Sequence, residues 1–86
     1  MSPVQFKPAA DTATDLWQAW FDGSALPNPG KIGIAAVVLS PAGERLEKSA
    51  MTGQHGCNNQ AELHALCLAL ELAHGAGARH LLVRGD

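Results

Sequence analysis

Charge is scarce in this sequence. Asp, Glu, Lys and Arg together make up 16% of its 86 residues, against about 25% in an average globular chain. Hydrophobic residues reach 47%, too many for a disordered tail. No run approaches the ~18 uninterrupted apolar residues that cross a bilayer, so no membrane partner is expected. Basic residues are not in excess: the formal net charge is −2 and the pI is near 6.0. That excludes a protein holding nucleic acid by charge alone, though not one holding it through bound metal ions. The first fifteen residues, MSPVQFKPAADTATD, have neither the apolar core of a secretory signal nor the arginines of a transit peptide. They are expected to form a flexible leader, 1–15, ahead of a single domain over 16–86.

Cysteine is equally sparse. Cys57 and Cys67 lie ten positions apart; on one helix that is ~15 Å of rise, too far for a disulfide. There is no Cys-x-x-Cys, and His55, His64, His74 and His80 are never three or four apart, which argues against a structural zinc site. A reducing, cytoplasmic location is the expectation. Gly30-Lys31 continues into Ile32, not Ser or Thr, so the sequence has no phosphate loop. Repeats and low-complexity segments are absent as well.

What is present divides into short elements. Residues 16–22, LWQAWFD, read as a strand ending in an acid. Pro27-Asn28-Pro29-Gly30 is a turn, because proline restricts φ and glycine tolerates a positive one. The run IGIAAVVL, 32–39, has strand length and predicts a strand covered on both faces. Ser40-Pro41-Ala42-Gly43 turns the chain again, and 44–52 is more polar and edge-like. Three successive antiparallel strands result. Residues 59–74, NQAELHALCLALELAH, contain strong helix formers without internal glycine or proline, and Gly75 and Gly77 stop the helix. His80–Val83 reads as a fourth strand, parallel to a neighbour because it is entered from a helix.

That helix is apolar nearly all round. Leu63, Leu66 and Leu70 make one stripe, Leu68 and Leu72 lie elsewhere, and alanines fill the gaps. Such a helix is normally buried on several sides. Four strands cover one side, so further chain or a second copy is expected on the rest.

Three carboxylates fall at element ends: Asp22 closing the first strand, Glu62 in the first helical turn, Asp86 closing the last strand. If the two strands are parallel neighbours, their C-terminal ends share one sheet edge, and the helix brings its acid there. Acids so grouped repel one another without a cation, and oxygen-only ligands suit Mg²⁺ or Mn²⁺ over zinc. Setting the three aside changes the formal charge from −2 to +1, so the acidity belongs to this group. Each also has an ordinary explanation. Asp22 before Gly23-Ser24 fits a turn, Asn59 and Glu62 have capping-box spacing, and Asp86 fits a chain end.

Order and context favour the shared site. Asp22-Gly23-Ser24 followed by Asn28-Pro29-Gly30 and an apolar strand resembles the opening of a type 1 ribonuclease H domain. Asn58-Asn59-Gln60-Ala61-Glu62-Leu63 resembles that family's Asn-Asn-x-x-Glu helix start, and Val83-x-Gly85-Asp86 its strand ending in the third acid. The chain order also agrees: an α/β, ribonuclease H-like mixed sheet of three antiparallel strands, a helix and a parallel strand. The resemblance covers 16–86 and corresponds to the N-terminal portion of the family's domain, ending before its fifth strand, later helices and fourth acid. It implies a metal-dependent endonuclease that hydrolyses the RNA strand of RNA–DNA hybrids. Asp22, Glu62 and Asp86 would be catalytic acids and ligands for Mg²⁺ or Mn²⁺, with two ions in the complete domain. Ser24 and Asn28 would approach the RNA strand, and Asn58 and Asn59 would contact the minor groove. The alternative is a truncated, non-catalytic fragment that self-associates as a homo-oligomer, or one that only binds nucleic acid.

Overall fold

The computed structural model describes residues 15–85. Residues 1–14 of the expected leader lie outside them, as does Asp86. The elements follow the order β1 (Leu16–Leu26), β2 (Gly30–Leu39), β3 (Arg45–Gly56), α1 (Asn58–Gly75) and β4 (His80–Arg84). The sheet order is β3-β2-β1-β4, with β1–β2 and β2–β3 antiparallel and β4 parallel to β1. The expected arrangement of strands is therefore present.

Several boundaries differ from the sequence reading, and the main shifts have local reasons. The first strand does not end at Asp22. It continues to Leu26, because Gly23 through Leu26 keep pairing with Ile34 through Lys31 until the Pro27–Asn28–Pro29 turn reverses the chain. Asp22 is thus a mid-strand residue. β4 pairs with β1 only from Leu16↔His80 to Trp20↔Arg84 among the described residues, so Asp22 lies just past that ladder. The third strand runs beyond residue 52 to Gly56 by way of a bulge: β2 advances from Lys31 to Gly33 while β3 moves from His55 to Met51. Gly53 takes φ +79° within the bulge. Thr52 Oγ1 accepts the Gln54 N–H at 3.0 Å and donates to the Ile32 carbonyl at 3.3 Å.

The helix start also moves. Asn59 is not its cap, nor does Glu62 reach back. The N-cap is Cys57, whose N–H donates to Gln60 Oε1 at 2.8 Å. Glu62 is the fifth helical residue, in the second turn, and is free of capping duty. At the other end Gly75 is still helical. The stop is Gly77, at φ +97°, with the Ala78 N–H closing back on the Ala73 carbonyl at 3.0 Å. Cys57 and Cys67 are both free thiols.

The helix meets the sheet through alanine, not leucine. Ala61, Ala65, Ala69 and Ala73, spaced by four, are its buried residues. Ala69 and Ala73 pack with Ala19, Ala36 and Val38, and Ala61 with Ala25 and Ile32. Leu68 and Leu72 flank the first cluster, while Leu63 is 63% and Leu70 43% exposed. Small side chains bring the helix backbone close to the strands, and Ala69 is fully buried between them. Ala69→Leu is therefore expected to overpack this layer and destabilise the fold by about 1–3 kcal/mol. Urea denaturation of the two chains would measure it, and an unchanged midpoint would contradict this packing. The second strand, expected to be covered on both faces, is buried on one only. Ile32, Ala36 and Val38 face the helix, whereas Gly33, Ala35, Val37 and Leu39 are half-exposed.

Candidate functional site

Strand alternation distributes the side chains around Asp22. Ala19 and Ala25 are buried under the helix and Phe21 packs against the same core, so the odd-numbered positions face α1. Asp22 and Ser24 are exposed and line a shallow hollow with Gly33, Ala35, Ser49 and Met51. Glu62 is exposed too. It lines a neighbouring hollow with Phe21, Asn59, Leu63, Leu66 and Gly85. Two of the expected acids thus line separate hollows, Asp22 on the sheet face away from α1 and Glu62 on the helix itself. The third, Asp86, lies outside the described residues, and among the described residues no three His, Cys, Asp or Glu side chains form a metal set.

What brings the two acids near one another is a glycine. A Cβ added at Gly23 would stand 2.1 Å from the Ala61 carbonyl oxygen and 3.0 Å from the Glu62 amide nitrogen. Strand and helix backbones therefore touch between Asp22 and Glu62, and only a residue without a side chain permits it. With standard bond lengths the Asp22 and Glu62 Cα atoms are no more than about 10 Å apart. The sequence does signal this contact, since an isolated glycine inside a strand marks close backbone approach. Ending the strand at Asp22 hid it.

Asn28 and Asn58, expected as substrate contacts, are engaged within the fold. Asn58 Oδ1 accepts the Ala25 N–H at 2.9 Å, tying the first helical residue to β1. Asn28 Oδ1 accepts the Asn58 N–H at 3.1 Å, so the β1–β2 turn satisfies one of the unpaired amides at the helix start. Asn59 is exposed and makes no side-chain hydrogen bond among the described residues. The site thus contains two exposed carboxylates across one backbone contact, two asparagines fastening the elements that bear them, and an exposed serine and asparagine beside them. Two further residues complete it structurally: Gln60, an unspecified position of the helix motif that caps the helix, and Gly85 of the last-strand motif, where a Cβ would meet the Phe21 ring at 2.8 Å.

Comparison with known proteins places this arrangement. A family model described as reverse transcriptase-like matches residues 20–86. A Ribonuclease HI of Halobacterium salinarum is 38% identical over 68 residues, covering 79% of this chain and 34% of that protein. Among solved structures, the RNase H1 of the same archaeon superposes with a TM-score of 0.75 at 38% identity, over 83% of this chain and 54% of that one. LC11-RNase H1 in complex with an RNA/DNA hybrid gives 0.70 at 36% identity, over 81% and 54%. The N-terminal RNase H domain of rv2228c from Mycobacterium tuberculosis, solved as a fusion with maltose binding protein, gives 0.74 at 30% identity, over 83% and 52%. This chain spans about half the length of these solved relatives.

Proposed function

Since the chain belongs to the reverse transcriptase-like family and shares its fold with ribonucleases H, we propose that it carries the larger part of a metal-dependent endonuclease site acting on the RNA strand of RNA–DNA hybrids. The observation that carries the reading is the contact of Gly23 with Ala61 and Glu62, which holds the backbones at Asp22 and Glu62 close together. The match to the family over residues 20–86 supports it. So does the neighbour solved with an RNA/DNA hybrid.

The donor set fits a hard divalent cation. Carboxyl oxygens extend about 3.5 Å from Cα in Asp and about 5 Å in Glu at standard bond lengths, and Mg–O distances are about 2.1 Å. A Cα separation of at most about 10 Å does not exceed the summed reach of the two side chains and one ion. Both are oxygen donors, which suits Mg²⁺ or Mn²⁺. Asp22 and Glu62, with Asp86, would hold the ions. When bound, such ions lower the pKa of an attacking water and neutralise the scissile phosphate. The chain's own part is to hold the acids in place. Asp22 is fixed by the β1–β2 ladder, and Glu62 by the helix cap and the alanine seam. Ser24 and Asn59, exposed beside them, would contact the sugar–phosphate backbone and the wide minor groove of the hybrid.

Hybrids labelled on either strand test this directly. With Mg²⁺ or Mn²⁺ present, cleavage is expected on the RNA strand alone and is abolished by chelator. Cleavage that survives chelator, or that falls on both strands, would rule the mechanism out. A second reading, association through the open leucine face, has the exposure of Leu63 and Leu70 in its favour. It predicts a mass above that of one chain in light scattering, together with no cleavage.

A further inference from the structure

The two asparagine bonds tie together the elements that bear Asp22 and Glu62. Ala25, whose N–H is held by Asn58 Oδ1, is three residues from Asp22 on β1. Asn58 is one helical turn before Glu62, so the two share a helix face. Gly23 against Ala61 closes the opposite side. Asn28 completes the arrangement from the β1–β2 turn, thirty residues away in sequence, by accepting the Asn58 N–H. The helix start is thereby pinned at both of its first-residue polar ends. The backbone at Glu62 can shift relative to that at Asp22 only if one of these bonds or the backbone contact gives way.

We propose that Asn28 is a positioning residue for the acid pair: its side-chain oxygen, acting as an acceptor for the Asn58 amide, sets where Glu62 stands relative to Asp22. This rests on the metal-site reading of Asp22 and Glu62 and adds to it a role for the β1–β2 turn distinct from contact with substrate. The chemistry separates the two roles. A positioning oxygen is replaceable by any acceptor of similar reach. A substrate-contacting amide donor is not, and a carboxylate in its place would repel phosphate.

The experiment uses the 86-residue chain and reads two quantities: exchange of the Asn58 amide proton by NMR, and the Mn²⁺ dissociation constant by calorimetry. Asn28→Ala is expected to speed Asn58 amide exchange about tenfold and to weaken Mn²⁺ binding roughly three- to tenfold. Asn28→Asp keeps the acceptor and adds a charge that the helix N-terminus favours, so both quantities should return to within about twofold of native. Asn28→Ser, a shorter uncharged acceptor, should restore part of both and so separates the acceptor effect from the added charge. The inference fails if Asn28→Ala leaves amide protection and Mn²⁺ affinity native. It also fails if Asn28→Asp and Asn28→Ser are no better than alanine. The underlying reading fails separately if Asp22→Asn does not change Mn²⁺ affinity in the native background, and the positioning role is then lost with it.

Discussion

Replacing Gly23 with alanine is expected to cost the fold about 1–3 kcal/mol, and more if the helix cannot shift. The added methyl would stand 2.1 Å from the Ala61 carbonyl oxygen and 2.5 Å from its carbon, inside any tolerable van der Waals distance. Both are backbone atoms of a helix seated on the sheet by four alanines, so no rotamer change relieves the clash. The helix must move by roughly 1 Å, carrying Glu62 away from Asp22, and misplacement of that size can lower a rate by on the order of 100-fold. The control is Gly75→Ala. At that position nothing lies within 4 Å of the added carbon, and the residue is helical, so alanine is expected to be neutral or to stabilise by up to ~1 kcal/mol. Chemical denaturation of the three chains, with hybrid cleavage measured alongside, gives the comparison. Equal stabilities for Gly23→Ala and the native chain would mean that the helix does not touch β1 where the structure has it.

Asp22→Asn is expected to do the reverse: leave the fold alone and remove the chemistry. The substitution is isosteric, the residue is exposed in mid-strand, and its side chain makes no hydrogen bond or ion pair among the described residues. Stability should change by no more than about 0.5 kcal/mol. A cation ligand, however, contributes by its negative charge, and an amide contributes none. Cleavage of the RNA strand should therefore fall on the order of 100-fold or more at fixed Mg²⁺, with partial recovery at high ion concentration if the loss is one of affinity. Glu62→Gln should behave alike. Because the two carboxylates act as a unit, the double variant should be scarcely worse than either single one. If both single variants cleave at the native rate, the two acids have no part in the reaction.

The two predictions differ in how far the sequence alone supports them. Asp22, Glu62 and Asp86 stand out as candidates from motif order, because Asp-Gly-Ser, Asn-Asn-x-x-Glu and Gly-Asp are local patterns. The structural duty of Gly23 does not, since a strand ending at Asp22 stops four residues short of Leu26 and leaves Gly23 outside it. Asn28 and Asn58 show the same limit. Their residue types announced hydrogen bonding, but nothing in the order of residues reveals that the partners are the Ala25 amide and the Asn58 amide, each some thirty positions away. The capping-box spacing of Asn59 and Glu62, the ordinary alternative for Glu62, is not used; Cys57 is the N-cap and Gln60 accepts its N–H.

Local pattern thus determined the succession of strands and helix and the parallel entry of the last strand, and it nominated the three acids as candidates, since propensity, turn chemistry and side-chain type act over a few residues. The tertiary structure alone decided which face of α1 lies down. Leucines offer more apolar area, yet the alanines are the buried residues, because only small side chains let the helix backbone come close enough to β1 to touch Gly23. That approach sets the distance between Asp22 and Glu62, and it depends on atoms far apart in the chain meeting in space.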